Sequence, residues 1–479
     1  EGNGLVAGVI GPVVSETVEK LEVERAHLTR LGPELARSLK SQASTTIERT
    51  NTHAMTHELG ALREFVEERR EATFMDRLAR FGEASRRNGM RLLTALRYRH
   101  SAGLLYARSL KRTTATSAVP SILERVNLHV GQGELISELP FYYRQLFQGR
   151  AALNETFWVG RDAELEEADR AVENIQQGHR GAIFVVGRGG SGKSALSQMI
   201  GLRAAPRENI YRLEPPEGGS SDPQVFHRRL TEALHLQGQV TELFGAIPKG
   251  SVFIVDDLEC WWARREGGLA VIERLLEYIS AYSDRCLFIV NLNTYAYRFI
   301  NQLLPLEDHA LAVLDCAPMD AREIKEAVLS RHGSTGHQMR LGRRVGDQVS
   351  DFVLARYFTQ CSEYAMGLIG VAHRAWLGHI VRVDEEVLTV REPKPEPLDF
   401  LEPLKIAWIA MLVQLVLHKS ADRSRLEAIT ALEPESLDHT LETLLRTGLV
   451  VKQPSGAYRL NEAVQHFVTA YLDAQGFLP

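Results

Sequence analysis

The chain has 479 residues, of which 44% are hydrophobic and 24% are charged, and its formal net charge is -5. These values indicate a globular protein of roughly three domains, and they exclude a chain whose overall charge attracts nucleic acid or membranes. The four cysteines stand far apart and form no C-x-x-C pair, so they imply no disulfide framework or zinc site and are best explained as buried thiols in a reducing cytoplasm.

The first part of the chain has few prolines and apolar residues at helical spacing, which predicts an N-terminal helical region over residues 1–115. Within it, Arg77 to Arg112 is strongly basic and contains a single acid, Glu83. Two interpretations stay open. The basic stretch is either a solvated helix face that pairs with acidic neighbours such as Glu64 to Glu71, or a surface for nucleic-acid phosphates or anionic lipid.

After a predicted loop-rich linker over residues 116–156, an apolar run leads directly into Gly187-Arg-Gly-Gly-Ser-Gly-Lys-Ser194, and a helical pattern follows. This G-x-x-x-x-G-K-[ST] form, between a strand and a helix, predicts a site for a nucleoside triphosphate. Backbone N–H groups and the helix N-terminus would surround the phosphates. Lys193 is predicted to reach the β- and γ-phosphates, and Ser194 to hold Mg²⁺. The predicted nucleotide-binding residues of this loop are Gly187, Arg188, Gly189, Gly190, Ser191, Gly192, Lys193, Ser194 and Ala195.

Hydrolysis also needs a carboxylate near the metal and a group that orients water. The sequence Val-Phe-Ile-Val-Asp-Asp-Leu-Glu, ending at Glu259, supplies an apolar strand followed by acids. Asp256 is predicted to contact Mg²⁺, directly or through water. Either Asp257 or Glu259 would polarise the attacking water, and Asp257 is favoured.

The next apolar run ends in two asparagines. Asn291 is predicted at the strand end, where its amide would bridge the γ-phosphate and the water, and Asn293 is the alternative. Arg285 and Arg298 flank this strand and are candidate arginine fingers for a neighbouring subunit.

Short apolar strands alternate with helical patterns through this part of the chain, which predicts an α/β fold with a parallel sheet covered on both faces. A purely helical pattern follows, then the proline-rich segment Arg391 to Pro397, and then a tail whose order of elements suggests a winged helix-turn-helix. Beyond the helical region and linker, the predicted domains are a P-loop ATPase core over 157–318, a helical lid over 319–390 and a winged-helix domain over 400–479.

Together these features resemble the AAA+/STAND ATPases, and in particular the ORC/Cdc6-like and signalling-NTPase branch. The resemblance rests on the Val159-Gly-Arg161 box, the phosphate loop, the paired acids, the asparagine strand, the lid and the tail, and it covers residues 157–479. It implies that Val159 and Arg161 lie near the adenine or its ribose. It also implies that the lid closes over nucleotide and that a ring or filament of copies completes the active site.

Two positions differ from the family pattern. Asp257 stands where many AAA+ members carry glutamate. The lid helix around Ser362 to Gly367 lacks the usual sensor arginine, and Arg374 is expected two turns later on the same helix as a substitute. Slow, switch-like hydrolysis is therefore expected rather than that of a fast motor.

The helix that would read DNA in a winged-helix tail carries Glu435, Asp438 and Glu442. Acids there oppose the approach of DNA phosphates, which favours a protein-contact or autoinhibitory role for the tail. DNA binding by the tail is the less favoured alternative.

Three functions follow as hypotheses, each with ATP and Mg²⁺ as cofactors. The first is an ATP-hydrolysing switch that controls homo-oligomerisation and an effector or partner protein, in bacterial signalling or defence. The second is a DNA-acting ATPase of the initiator or transposition-regulator type that uses residues 77–112. The third is a nucleotide-binding scaffold. No stretch is apolar enough to cross a bilayer, so a cytoplasmic location is expected. The chain starts at Glu1 rather than Met, and membrane association through residues ahead of it stays open.

Overall fold

The structure is a computed structural model that describes residues 118–129, 133–148, 155–384, 386–394, 397–430 and 432–479. The predicted N-terminal helical region and its basic stretch, Arg77 to Arg112, lie outside the described residues. The domain boundaries predicted for the core, lid and tail stay predictions.

The centre of the core is a five-stranded parallel sheet with the strand order β2-β3-β4-β1-β5. The strands are β1 (Ala182–Gly187), β2 (Ile210–Leu213), β3 (Ser251–Val255), β4 (Cys286–Asn293) and β5 (Ala310–Asp315). Residues of β1, β3 and β4 are buried along their whole length. Strands that are buried on both faces need helices on both faces, so the predicted α/β class is confirmed.

Successive side chains of each strand point to opposite faces of the sheet. In β1, Ile183 and Val185 pack with the helices α4 (Asp162–Gln176) and α5 (Lys193–Ala204), whereas Phe184 and Val186 belong to the core on the other face. The remaining helices of this part of the chain are α6 (Pro223–Leu234), α7 (Val240–Ala246), α8 (Ala270–Tyr282) and α9 (Thr294–Leu303).

The predicted linker is not loop-rich where the structure describes it. It contains α1 (Ala118–His129), α2 (Gly133–Glu138) and α3 (Phe141–Phe147). Tyr143 and Phe147 lie one helical turn apart and are both buried, because they pack against the lid. The Tyr143 hydroxyl bonds with His332 Nδ1 at 3.0 Å and accepts the indole N–H of Trp376 at 2.9 Å. Burial of this face stabilises a helix in a segment that the sequence predicted to be loop-rich.

The lid, residues 319–390, is not purely helical either. Its helices are α10 (Ala321–Gly333), α11 (Asp351–Ala365) and α12 (Ile369–Gly378). They accompany a four-stranded sheet of order β7-β6-β9-β8, formed by β6 (Gln338–Leu341), β7 (Arg344–Val345), β8 (Ile380–Asp384) and β9 (Val387–Val390). These strands have two to five residues each, and so short a segment gives no periodic pattern that stands out between long helices.

The tail, residues 400–479, contains α13 (Ile406–His418), α14 (Arg423–Thr430), α15 (Pro434–Arg446) and α16 (Gln465–Ala474). A three-stranded sheet of order β10-β12-β11 joins them, with β10 (Ser420–Ala421), β11 (Val450–Lys452) and β12 (Tyr458–Leu460). Helix α13 is buried over most of its length and forms the centre of the tail. None of the helices in the described ranges has the length and apolarity that a membrane span requires.

Candidate nucleotide-binding site

The phosphate loop, Gly187 to Ser194, connects the carboxyl end of β1 to the first turn of α5. Gly190 and Gly192 have φ values of 85° and 96°, a left-handed conformation that strains residues with a side chain. The motif glycines therefore fold the loop so that its N–H groups and the N-terminus of α5 face the same space.

Lys193 and Ser194 occupy the first turn of α5. The Lys193 ammonium donates to the carbonyl oxygens of Gly187 at 2.8 Å and Arg188 at 3.2 Å, so it lies over the loop and is buried. Ser194 is exposed at the helix start. Both side chains therefore lie at the end of the phosphate loop, and their roles toward phosphate and Mg²⁺ stay predictions.

A cavity of about 640 Å³ lies over this loop between the core, the lid and the tail. Of the residues that the sequence predicted for the site, its walls contain Val159, Arg161, Gly189, Gly190, Ser191, Gly192, Lys193, Ser194, Ala195, Asp257, Glu259, Asn293 and Arg374. Sequence reasoning missed other wall residues, including Arg212, Arg331, His373, Lys419, Glu462 and Gln465. No local motif marks them, because they come from β2, the lid and the tail.

Asp256 follows β3 and is buried beside α5. It accepts a hydrogen bond of 2.6 Å from the Asn291 amide and forms an ion pair of 3.3 Å with Arg212. Burial raises the pKa of Asp256, while Arg212 and the amide of Asn291 oppose that shift. Ser197 in turn donates to the carbonyl oxygen of Asn291, which links Asp256 to α5.

Asp257 and Glu259, the two candidates for the water-activating acid, both line the cavity. Asp257 forms an ion pair of 2.5 Å with Lys419. Glu259 is buried and accepts the backbone N–H of Asn293 at 3.0 Å. Burial raises the pKa of Glu259 and nearby Asp257 raises it further, while the ammonium groups of Lys193 and Lys419 lower it. The two acids therefore meet different environments within one site.

Strand β4 continues to Asn293, so the prediction that Asn291 stands at the strand end is wrong. In the sheet, Asn291 pairs with Val185 and Asn293 pairs with Gly187, where the phosphate loop begins. Asn293 lines the cavity and caps α9, whereas Asn291 is bonded to Asp256 and Ser197. The strand extends beyond its apolar run because these buried amides find hydrogen-bond partners.

The two candidate arginine fingers have different surroundings. Arg285 precedes β4 and so lies at the amino-terminal ends of the strands, whereas the phosphate loop follows the carboxyl end of β1. Its guanidinium donates to the carbonyl oxygens of Phe244, Gly245 and Ile247 at 3.1–3.2 Å. It therefore holds the end of α7. Arg298 is exposed on α9, and its guanidinium donates a hydrogen bond of 3.3 Å to the carbonyl oxygen of Pro479. Of the two, only Arg298 keeps the exposure that an arginine finger needs.

Arg161 has a left-handed backbone with φ of 67°. Its guanidinium pairs with Glu164 at 2.8 Å and donates to the carbonyl oxygens of Ser191 at 3.3 Å and Ala317. The side chain therefore joins the phosphate loop to the segment that enters the lid. Val159, in the same box, lines the cavity.

Arg374 is not on the same helix as Ser362 to Gly367, because α11 ends at Ala365 and Arg374 belongs to α12. The left-handed conformation of Met366 and Gly367 separates the two helices. Helix α12 lies directly on the phosphate loop, where the Gly370 N–H donates to the carbonyl oxygen of Gly190 at 2.8 Å. Arg374 therefore lines the cavity from a helix that touches the loop.

Three charged residues of this site each pair with an opposite charge from the tail. Asp473 pairs with Arg188 at 3.0 Å, Glu462 with Arg374 at 3.6 Å, and Lys419 with Asp257 at 2.5 Å. In addition, Gln465 lies so close to Gly189 that a side chain there would meet its amide. The tail therefore closes one side of the cavity.

Residues 152–212 match the model of a family described as BREX system ATP-binding protein BrxC/D. No curated protein is similar enough to count as a match. Among solved structures, the chain is similar to the ORC2 protein of Aeropyrum pernix in its ADPNP-ADP complexes, with 18% identity, a TM-score of 0.44 and coverage of 70% of this chain and 98% of that one.

It is also similar to the Walker-type ATPase paby2304 of Pyrococcus abyssi, with 12% identity, a TM-score of 0.34 and coverage of 68% and 99%. For the RuvB Holliday junction branch migration motor of Thermotoga maritima, the identity is 16%, the TM-score 0.32 and the coverage 64% and 94%. The parallel sheet, the phosphate loop after β1 and the paired acids after β3 show that this chain has the α/β fold of a P-loop nucleotide-binding domain.

Proposed function

We propose that this protein binds and hydrolyses ATP with Mg²⁺ and acts as a STAND-type molecular switch. Its nucleotide state would control how the tail docks, whether copies associate in a ring or filament, and when a partner or effector protein binds. The observation that carries this proposal is the set of three ion pairs between the nucleotide cavity and the tail.

These ion pairs compete with a nucleotide for the same charges. Arg188 is the arginine of the phosphate loop and Arg374 that of the adjoining lid helix, and each is paired with a tail carboxylate. Phosphate oxygens are strong acceptors for arginine, so a bound triphosphate draws these side chains away from Asp473 and Glu462. Nucleotide binding thereby replaces contacts between the tail and the core with contacts to the phosphates, so the docking of the tail depends on the nucleotide, which is what a switch requires.

The chemistry assigned to the core follows from the same contacts. Lys193 holds the β- and γ-phosphates, and Asp257 orients the attacking water once its carboxylate is free. Glu259 accepts the N–H of Asn293 and so holds the strand end in place, while Asn293 faces the γ-phosphate. The tail thus restrains the acid that acts on water, which supports slow turnover.

The donors for Mg²⁺ fit its known preferences. Mg²⁺ usually keeps several waters and takes one or two protein oxygens in addition to substrate phosphates. Ser194 and Ser197 lie one turn apart on α5. The Ser197 hydroxyl donates a hydrogen bond to Asn291, and the Asn291 amide donates one to Asp256. Because Asp256 already accepts from Asn291 and faces Arg212, we propose that it holds the ion through a water, and Ser194 directly.

The family match of residues 152–212 supports a role as an ATP-binding component of a BREX system. The tail itself supports contact with protein rather than DNA. Helix α15, which would enter the DNA groove, has Asp438 paired with Arg423 at 2.7 Å and Glu442 paired with Arg446. Helix α1 packs against the turn after α15, where Val126 lies beside Gly448.

The test measures phosphate release and the association state of the full chain, each without nucleotide, with ADP and with a nonhydrolysable ATP analogue. We expect the analogue, but not ADP, to change the size of the particle, and we expect turnover well below about 10 s⁻¹, the enzyme median. Turnover above that value would contradict the switch. Strong stimulation by duplex DNA would support the DNA-acting ATPase, and binding without any phosphate release would support the scaffold.

A further inference from the structure

Lys419 lies between α13 and β10 in the tail, yet its ammonium group is 2.5 Å from a carboxylate oxygen of Asp257 in the core. Its side chain lines the nucleotide cavity. Sequence reasoning gave no reason to single it out, since the two residues are 162 positions apart in the chain.

Both residues of this ion pair, Asp257 and Lys419, have a positive backbone φ. Among the described residues, five that are not glycine have a positive φ, and three of these line the cavity, namely Arg161, Asp257 and Lys419. Lys419 has φ of 60° and ψ of -50°. Such conformations cost free energy, persist only where the surrounding structure enforces them, and cluster at functional sites.

The neighbours of Lys419 fix it against the core. The His418 ring packs against the Trp262 ring at an angle of 33°, with 4.4 Å between ring centroids, and its carbonyl oxygen accepts from the Cys260 thiol at 3.6 Å. Arg425, a few residues later, donates to the carbonyl oxygen of Gly218 at 2.7 Å. The Lys419 backbone is thus held beside the acids that follow β3, while its side chain is about half exposed to the cavity.

Lys419 and the phosphate-loop lysine, Lys193, both act on the buried carboxyl of Glu259. Burial raises the pKa of this carboxyl, and the ammonium groups of Lys193 and Lys419 both lower it. All three side chains line the same cavity. Lys193 marks the place of the β- and γ-phosphates, and Asp257 is the acid that faces the γ-phosphate side. Lys419 is therefore a second cation in the cavity that Lys193 lines, paired with the acid that the sequence predicts beside the γ-phosphate.

We propose that Lys419 contacts the γ-phosphate of bound ATP, as a cation that the tail supplies within the same chain. This inference rests on the proposed ATPase function and names a catalytic residue for it. The ammonium group moves from Asp257 to the γ-phosphoryl oxygens, where it stabilises the negative charge that they carry during transfer to water. The same move frees the Asp257 carboxylate to orient that water.

ADP has no γ-phosphate, so nothing draws Lys419 away from Asp257 when ADP is bound. The tail therefore distinguishes the two nucleotides through this one side chain. The charge that many ATPases receive from a neighbouring subunit would here come from the same chain.

The test uses the full chain and measures dissociation constants for a nonhydrolysable ATP analogue and for ADP. We expect Lys419→Met, which keeps the length of the side chain without its charge, to weaken the analogue about tenfold, the size of one charge-assisted hydrogen bond. ADP binding should change by less than about twofold, since the missing contact is to the γ-phosphate. Lys419→Arg should restore most of the loss for the analogue. Lys452→Met, which removes an exposed lysine of β11 that lies over the Tyr458 ring, is the matched control and should change neither value.

A second variant keeps the test decisive if Lys419→Met folds poorly. Asp257→Asn removes the carboxylate that competes for Lys419, so it should increase the preference for the analogue over ADP. Equal weakening of both nucleotides in Lys419→Met, or an unchanged preference in Asp257→Asn, would overturn the proposal. So would faster hydrolysis with unchanged analogue binding, because Lys419 would then only restrain Asp257. These readouts need binding alone, whereas the proposed function fails separately if the unmodified protein releases no phosphate.

Discussion

The N–H of Gly370, at the start of lid helix α12, donates a hydrogen bond of 2.8 Å to the carbonyl oxygen of Gly190 in the phosphate loop. A Cβ atom on Gly370 would lie 3.1 Å from both the Cα and the carbonyl oxygen of Gly190. Because these Gly190 atoms belong to the backbone, no side chain can rotate away to make room for a Cβ on Gly370, and the lid helix itself has to move. The lid and the loop therefore depend on a residue without a side chain at this point.

We expect Gly370→Ala to weaken nucleotide binding about fivefold, or ~1 kcal/mol, by shifting α12 from the loop. Alanine favours a helix over glycine by up to about 1 kcal/mol, so helix propensity does not oppose the change. Gly333→Ala is the matched control, since Gly333 also lies in a lid helix and its Cβ would meet nothing within 4 Å. Calorimetric titration with ADP compares the two variants, and equal affinities would contradict the role of this contact.

Lys193→Ala is expected to abolish measurable nucleotide binding at concentrations that saturate the unmodified protein. The ammonium group lies over the loop that receives the phosphates, and alanine leaves their charge without its partner. Fluorescence titration with a labelled ATP analogue checks this. Lys249→Ala, at an exposed position before β3, serves as the control and should bind normally. Retained binding in Lys193→Ala would place the nucleotide elsewhere.

The roles of the two acids separate by kinetics. Asp257→Asn should lower kcat by about 10²–10⁴-fold, the range for loss of a group that assists proton transfer from water. Glu259→Gln keeps an oxygen that accepts the N–H of Asn293, so it should lower kcat by about tenfold at most, or ~1.4 kcal/mol. Single-turnover measurements at saturating ATP decide between them. A larger loss in Glu259→Gln would make Glu259 the water-activating acid.

Stability should fall in mild acid because several histidines are buried. Burial lowers the pKa of His332 to about 4, and of His373, His418 and His466 to about 3. Their pKa values are lower in the folded chain, so their contribution is complete above the unfolded value near 6.5 and is lost as the pH falls toward 4. At pH 5.5 each of these buried histidines lowers the free energy of unfolding by roughly 1 kcal/mol. The raised pKa values of Asp256 and Glu259 act in the opposite direction.

Thermal unfolding at pH 7.5 and pH 5.5 measures this loss. His466→Leu should reduce the difference between the two conditions by roughly 1 kcal/mol, since leucine does not titrate. His439→Leu is the control, because His439 is exposed on α15. Identical losses in the two variants would mean that the buried histidines do not control acid stability.

Local patterns were sufficient to predict the parts of the site that are contiguous in the chain. The phosphate loop lies between a strand and a helix as predicted, and the acids follow a buried apolar strand. The sequence predicted the end of β4 at Asn291 instead of Asn293, because a polar residue after an apolar run normally indicates that the strand has ended. The helices of the predicted linker and the small strands of the lid were missed for a similar reason, since they form where a neighbouring surface buries a short face.

By itself the sequence determined the α/β core and the phosphate-binding loop, because both depend on residues that are adjacent in the chain and on backbone rules that act over a few positions. Only the tertiary structure decided which charges face one another across the cavity. Arg188 and Asp473 are 285 residues apart, and Asp257 and Lys419 are 162 apart. Contacts of this kind follow from how the tail packs on the core, and packing depends on the complementarity of whole surfaces rather than on any local motif.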